Sequence, residues 1–372
     1  MGTSGELSQG IRGVCPVLSA AFSVSGALDL ESFRSLCAFV ASSGVNSVMI
    51  FGVATENSKL TDDERSAMLD VALDECHAKG VRVVATTADH STELAVQRAK
   101  SYEQLGVDLI NVLPSYFLKP PHDQVVHHLS SILRAVNIPV IIQSLPLGGN
   151  ELPLAQIVGL RSGHPNLVQV KVENIPSTES VSQVLELSGG RVTPLVGWGG
   201  LEWREASQAG AVGVQPGCSL TEIYLEAQSF LDRDDEEGFA EVFDPLRVPL
   251  EAWMRHPEVL IAVEKEILYR RGIIQSPYCR HPSAQVSAED MQHADNMLQR
   301  LPGSQSGCRV QKFGECSPLA RCLRHSYPTR ERRFAELVRF TASQWAPKQT
   351  WPSPRPGSES KVHASPVWEQ TS

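Results

Sequence analysis

The chain has 372 residues, 42% of them hydrophobic and 20% charged, and a net charge of −9. That is the composition of a folded globular protein, and it excludes a disordered chain, a collagen and a disulfide-stapled miniprotein. The acidic balance argues against nucleic acid as the main partner, and with no run of 18 apolar residues the sequence predicts no membrane span.

The start, MGTSGELSQG, has neither the basic n-region nor the apolar h-region of a secretory signal. Glu6 stands where the myristoylation pattern wants Ser or Thr. Residues 1–10 are expected to be a flexible N-terminus, and the chain to be cytoplasmic. From residue 11 onward, short apolar runs alternate with longer amphipathic ones. The runs are VCPVLSAAF (14–22), VNSVMIF (45–51), VRVVATT (81–87), DLINVL (108–113), IPVIIQ (138–143), NLVQVK (166–171), TPLVG (193–197) and AVGVQ (211–215). Val and Ile dominate them almost without alternation, the pattern of strands buried on both faces of a parallel sheet.

Helical stretches fill the gaps. LESFRSLCAFVASSG (30–44) is one; TDDERSAMLDVALDECHAKG (61–80) opens with a Thr61/Glu64 capping box and closes on Gly80; STELAVQRAKSYEQLG (91–106) runs from Ser91 to Gly106. Eight such units over 11–232 predict an α/β fold, a (β/α)8 TIM barrel. An open doubly wound sheet would want a Gly-rich phosphate turn after the first strand, and SVSGALD is not one. Residues 233–301 lack strand signals and read as a C-terminal helical extension, with breaks expected at Pro245, Pro249, Pro257 and Pro277.

The composition then changes. Residues 302–372 hold 11 basic and 5 acidic residues, 8 of the 24 prolines and 3 of the 6 tryptophans. They read as a low-order basic Pro-rich tail. Cys308, Cys316 and Cys322, with His325 nearby, fit no common zinc module. Cys15, Cys37, Cys76, Cys218 and Cys279 are scattered and read as reduced thiols. No metal site is expected.

Reactive groups of a (β/α)8 barrel sit at the C-terminal ends of its strands. Lys171 follows Leu-Val-Gln-Val at the end of the sixth run. Alternation places Leu167, Gln169, Lys171 and Glu173 on one face, with Val168 and Val170 on the other. A lysine aimed into the barrel mouth is desolvated, which favours its neutral amine, and such an amine condenses with a ketone. Glu173 projects to the same side and is placed to move a proton at the adjacent carbon. The bland alternative is a simple Lys171–Glu173 salt bridge.

These residues resemble the dihydrodipicolinate synthase / N-acetylneuraminate lyase superfamily of Schiff-base barrels. The resemblance covers roughly 11–300. It rests on Gly52 to Glu56, TDDER (61–65), Pro114 to Tyr116, IPVII to Pro146, HPNLVQVK (164–171) and GIIQSPYCRHP (272–282). It implies that Lys171 forms the Schiff base. Gln143 replaces the family's proton-relaying tyrosine, Gly148 an arginine, and Val53-Ala54-Thr55 a Thr-Thr-Gly run.

The 2-keto-3-deoxypentonate dehydratase subgroup is closer. It shares Gln in the strand-five I-Q-x-x-P run, a hydroxyl residue before the glutamate (Thr55-Glu56), K-x-E (Lys171 to Glu173) and a terminal S-x-x-x-R-H-P (Ser276 to Pro282). Phe117, in place of a histidine, and Trp198-Gly199-Gly200 depart from it. The resemblance implies a dehydratase for a 2-keto-3-deoxy sugar acid, with Glu173 as acid and base and no metal or organic cofactor. Thr55 and backbone amides near Ala54 would take the substrate carboxylate, with Glu56, Tyr116, Gln143, Gly197 and Gly217 completing the binding site. A homo-oligomer, a tetramer by resemblance, is expected. The rival readings are a pyruvate-forming retro-aldolase on the same Schiff base and a catalytically silent barrel with a regulatory or assembly role.

Overall fold

The structure, a computed structural model, describes residues 10–115, 117–146 and 151–301. Cys308, Cys316, Cys322 and His325, and all of 302–372, lie outside the described residues. Eight strands follow in chain order: β1 (Gly13–Val14), β2 (Ser47–Ile50), β3 (Arg82–Thr87), β4 (Leu109–Val112), β5 (Val140–Ser144), β6 (Leu167–Val172), β7 (Thr193–Val196) and β8 (Gly213–Val214). Every neighbouring pair is parallel, in the order β1-β8-β7-β6-β5-β4-β3-β2. The ring closes where Val17 bridges Met49: Leu18 N–H donates to Met49 O and Met49 N–H to Pro16 O, each at 2.8 Å. This is the (β/α)8 barrel the sequence predicts. The first run is cut far shorter than 14–22, because Pro16 has no N–H to continue the ladder.

Helices α1 (Leu30–Ala41), α2 (Asp62–His77), α3 (Thr92–Leu105), α4 (His122–Ala135), α5 (Leu154–Gly159), α6 (Ser177–Ser188), α7 (Trp203–Gln208) and α8 (Thr221–Leu231) cover the strands. The capping box on α2 is present: Thr61 Oγ1 accepts from Glu64 N–H, and Glu64 Oε2 from Thr61 N–H at 2.9 Å. Alternation sorts each strand's side chains. Val84, Leu109, Ile141 and Leu195 fill the inside with Ile11, Cys15, Val17 and Met49. Their neighbours face outward into the layer under the helices.

Leu167 departs from the alternation expected of its strand. Leu167 packs outward with Val170 and Val172, away from Lys171. The β5–β6 register shifts between Val140 and Ile141, pairing Val140 with Leu167 but Ile141 with Gln169. The extra residue turns Leu167 over.

Three further helices follow: α9 (Glu236–Met254), α10 (Pro257–Arg270) and α11 (Ala288–Leu298). Pro257 begins α10, where a missing N–H costs nothing. Pro245 and Pro249, expected as breaks, lie inside an unbroken α9. The carbonyl that Pro245 cannot serve, Glu241 O, accepts instead from Arg300 Nη2 at 3.1 Å. Trp203, Tyr224, Phe239 and Phe243 stack in edge and tilted contacts and seat α9 against α7 and α8. The five cysteines at 15, 37, 76, 218 and 279 are free thiols. Among the described residues no helix is long and apolar enough to cross a membrane.

Candidate active site

A cavity of about 530 Å³ opens at the C-terminal ends of the strands. Lys171, Glu173, Gln143, Glu56 and Gly217 all line it, together with Thr86, Trp198 and Gln215. Pro257, Glu258 and Ile261 of α10 form part of its wall.

Lys171 is 7% exposed and Glu173 6%. Lys171 Nζ lies 3.0 Å from Glu173 Oε1. The same oxygen accepts from Gln143 Nε2 at 3.0 Å. Gln143 Oε1 in turn accepts from Asn111 Nδ2 at 3.0 Å, and Asn111 Nδ2 also reaches Thr86 Oγ1 at 3.3 Å. One hydrogen-bonded chain therefore crosses β3, β4, β5 and β6 and ends on the carboxylate beside the lysine. Trp198 N–H donates to the other carboxylate oxygen at 3.0 Å. The carboxylate thus meets a lysine, a side-chain amide and a main-chain N–H. Such an arrangement can hold an amine and a base, both largely buried, within proton-transfer distance.

The other expected residues take different places. Glu56 is buried in a left-handed turn, with φ at 55°. Its Oε1 is ion-paired with the fully buried Lys265 of α10, and Lys59 Nζ lies 3.1 Å from its Oε2. Lys59 also reaches Glu258 Oε2 at 2.6 Å. Burial works against the Lys265 ammonium and pulls its pKa down, while Glu56 opposes that fall. Glu56 thus anchors α10 to the cavity rim.

Thr55 stands behind the wall. Its hydroxyl donates to Leu18 O at 2.7 Å and its N–H to Gly52 O at 3.0 Å, so neither donor is open to a ligand. Val53 and Ala54 face the cavity instead. Gly197 and Gly217 are demanded by carboxylates of the protein itself. A Cβ at Gly197 would overlap the Glu173 carboxylate, and one at Gly217 would overlap that of Glu264. Glu264 Oε2 accepts from Ser219 N–H at 2.9 Å, and burial pushes its carboxyl pKa up. Tyr116 lies outside the described residues. Phe117 lines the cavity, largely exposed, edge-on to His90.

Asn111, Lys59 and Lys265 were not among the expected site residues. Asn111 carried one signal, a lone amide inside the apolar run DLINVL. Lys265 carried none, because its partner arrives from the far end of the chain.

Known proteins bear on this geometry. The chain is 25% identical to the L-2-keto-3-deoxyarabonate dehydratase of Azospirillum brasilense over 283 residues, 74% of this chain and 89% of that one. It is 30% identical to the 4-hydroxy-tetrahydrodipicolinate synthase of Geobacter sulfurreducens over 175 residues, 46% of this chain and 59% of that one. Among solved structures, the dihydrodipicolinate synthase of Rhodopseudomonas palustris superposes with a TM-score of 0.70 at 20% identity, over 78% of this chain and 97% of that one. The Ruminococcus gnavus sialic acid aldolase superposes at 0.68 and 21%, over 77% and 96%, which is a likeness of fold. The profile of the Dihydrodipicolinate synthetase family matches residues 10–301, so the chain belongs to that family, whose members are lyases.

Proposed function

We propose that this chain is a Schiff-base lyase that removes water from a 2-keto-3-deoxy sugar acid. The observation that carries the reading is the Lys171–Glu173 pair, 3.0 Å apart and buried at the end of β6. The similarity to the Azospirillum dehydratase supports the substrate class and the reaction.

The chemistry begins with a proton passing from the Lys171 ammonium to Glu173. The free amine adds to the C2 ketone. The proton leaves with the C2 oxygen as water, which restores the carboxylate and leaves an iminium. The iminium draws electrons from C3 and acidifies its protons. Glu173 takes one, and the C–H pair becomes the enamine double bond. The enamine expels the C4 hydroxyl, which leaves as water with the proton held on Glu173. Tautomerisation makes the aldehyde, and hydrolysis frees Lys171 and a 2-keto acid semialdehyde. One water is lost per turnover with no net oxidation, so the proposed reaction runs without metal or organic cofactor. Gln143 has no proton to give at neutral pH and serves to orient Glu173. The substrate carboxylate is placed against the backbone of Val53–Ala54. The working form is proposed to be a cytoplasmic homotetramer acting on small molecules rather than on nucleic acid or membrane.

Borohydride trapping with a panel of 2-keto-3-deoxy acids and pyruvate tests the reading. The expected result is a mass adduct mapped to Lys171, with semialdehyde released in unreduced samples. Pyruvate or another short 2-keto acid in place of semialdehyde would replace the dehydratase with the aldolase. No adduct from folded protein with any keto acid would sink both and leave the silent barrel.

A further inference from the structure

Trp198 holds Glu173 at two points. Its backbone N–H donates to Glu173 Oε2 at 3.0 Å, and its indole Nε1 donates to the main-chain carbonyl of Glu173. Glu173 N–H is fixed separately, to Ser144 O at 3.1 Å. The carboxylate and the backbone of the proposed base are therefore both tied to one residue of the neighbouring β7 loop.

That loop is held in an unusual shape. Trp198 has φ at 48°, in the left-handed region that residues with a Cβ rarely occupy. Gly199 and Gly200 follow at 60° and 84°. Gly197, just before it, leaves no room for a side chain, because the Glu173 carboxylate fills the space. An indole is also a large group to turn back toward a buried strand end, and here it lines the cavity. Strain of this kind persists only where the surroundings over-determine it.

We propose that Trp198 is a positioning residue: its indole on the Glu173 carbonyl and its main-chain N–H on Oε2 together fix how the Glu173 carboxylate faces Lys171. This rests on the Schiff-base reading above. With Oε2 bound to Trp198 N–H, the oxygen turned toward Lys171 is Oε1. Oε1 carries two donors at rest, Lys171 Nζ and Gln143 Nε2. When the amine becomes a protonated iminium, two of its three hydrogens are gone, and Oε1 remains the oxygen turned toward the new C=N bond and the carbon beside it. No bond is made or broken by Trp198. It fixes the direction from which the carboxylate meets the carbon.

The inference is tested by separating imine formation from proton removal. Pyruvate serves as the probe. Borohydride trapping after equilibration with pyruvate reads the extent of imine, which does not depend on how fast Glu173 moves protons; exchange of the pyruvate methyl protons with deuterated water, followed by NMR, reads the proton step. Trp198→Phe keeps an aromatic ring and the main-chain amide but loses the indole N–H, and with it the hold on the Glu173 carbonyl. The expected result is trapping within about twofold of the parent and exchange slower by about tenfold. Gly197→Ala, which pushes on the carboxylate itself, is expected to keep trapping and slow exchange by about a hundredfold. Exchange at the parent rate in Trp198→Phe overturns the positioning role. Equal loss of trapping and exchange in both variants also overturns it, because it shows a general structural effect. A parent chain that is not trapped at all fails at the earlier reading, before Trp198 is reached.

Discussion

Arg280 shows how much one side chain does in this protein. It pairs with Glu64 through two guanidinium nitrogens and donates to Gly26 O at 2.9 Å and Lys59 O at 2.8 Å. The guanidinium beside Glu64 holds its carboxyl down to about 2. An unfolded glutamate titrates near about 4.3. A depressed folded pKa gives stability that is present above about pH 4.3 and lost as pH falls through about 2. Both side chains are one-fifth exposed, so the share is discounted to about 1–2 kcal/mol. The melting temperature is expected to fall across that window, and Arg280→Met to flatten the fall. An unchanged slope in the variant would remove the pair from the account.

At this scale the lining of the cavity is legible where it follows strand periodicity. Lys171, Glu173 and Gln143 sit at strand ends, and alternation aims them into one cavity. Glu56 is legible as a cavity residue but not as an anchor, since its ion partner comes from α10. Thr55 was misplaced because a single 3₁₀ turn, Val53–Thr55, rotates its hydroxyl onto Leu18 O.

Among the elements, α2 is the one whose start the sequence states outright. Thr61 and Glu64 satisfy each other's N–H groups at its first turn. Thr61→Ala is expected to cost about 1 kcal/mol in denaturant unfolding. A loss below a few tenths would mean that the Arg280 contacts hold that turn by themselves. α9 teaches the opposite lesson. Propensity alone breaks it at Pro245, yet Arg300 supplies the lost donor and the aromatic cluster holds the helix in line. Local rules see the missing N–H and cannot see an arginine more than fifty residues on. The reversal of Leu167 has the same origin, because a register shift belongs to two strands at once.

Over the described residues a barrel is joined to three helices, and the joint passes through buried charge. Lys265 is fully buried, paired with Glu56, hydrogen-bonded to Tyr278 O at 2.9 Å and set 4.3 Å from the centre of the Phe22 ring. Replacing one partner strands the other in a poorly solvated place. Lys265→Met is expected to cost about 3 kcal/mol in urea unfolding, since Lys59 still faces Glu56. Adding Glu56→Gln is expected to restore part of it. Equal losses in the single and double variants would show that packing, not charge, holds the joint.

The amide chain in the barrel wall has a consequence for the proposed reaction. Asn111 and Gln143 transmit orientation but no protons, so behind Glu173 the wall is an insulator. In the proposed reaction a hydrogen lifted from the substrate would therefore leave Glu173 only on the cavity side. The carboxylate would return it there to the departing oxygen, or exchange it with water when, as with pyruvate, there is no hydroxyl to expel.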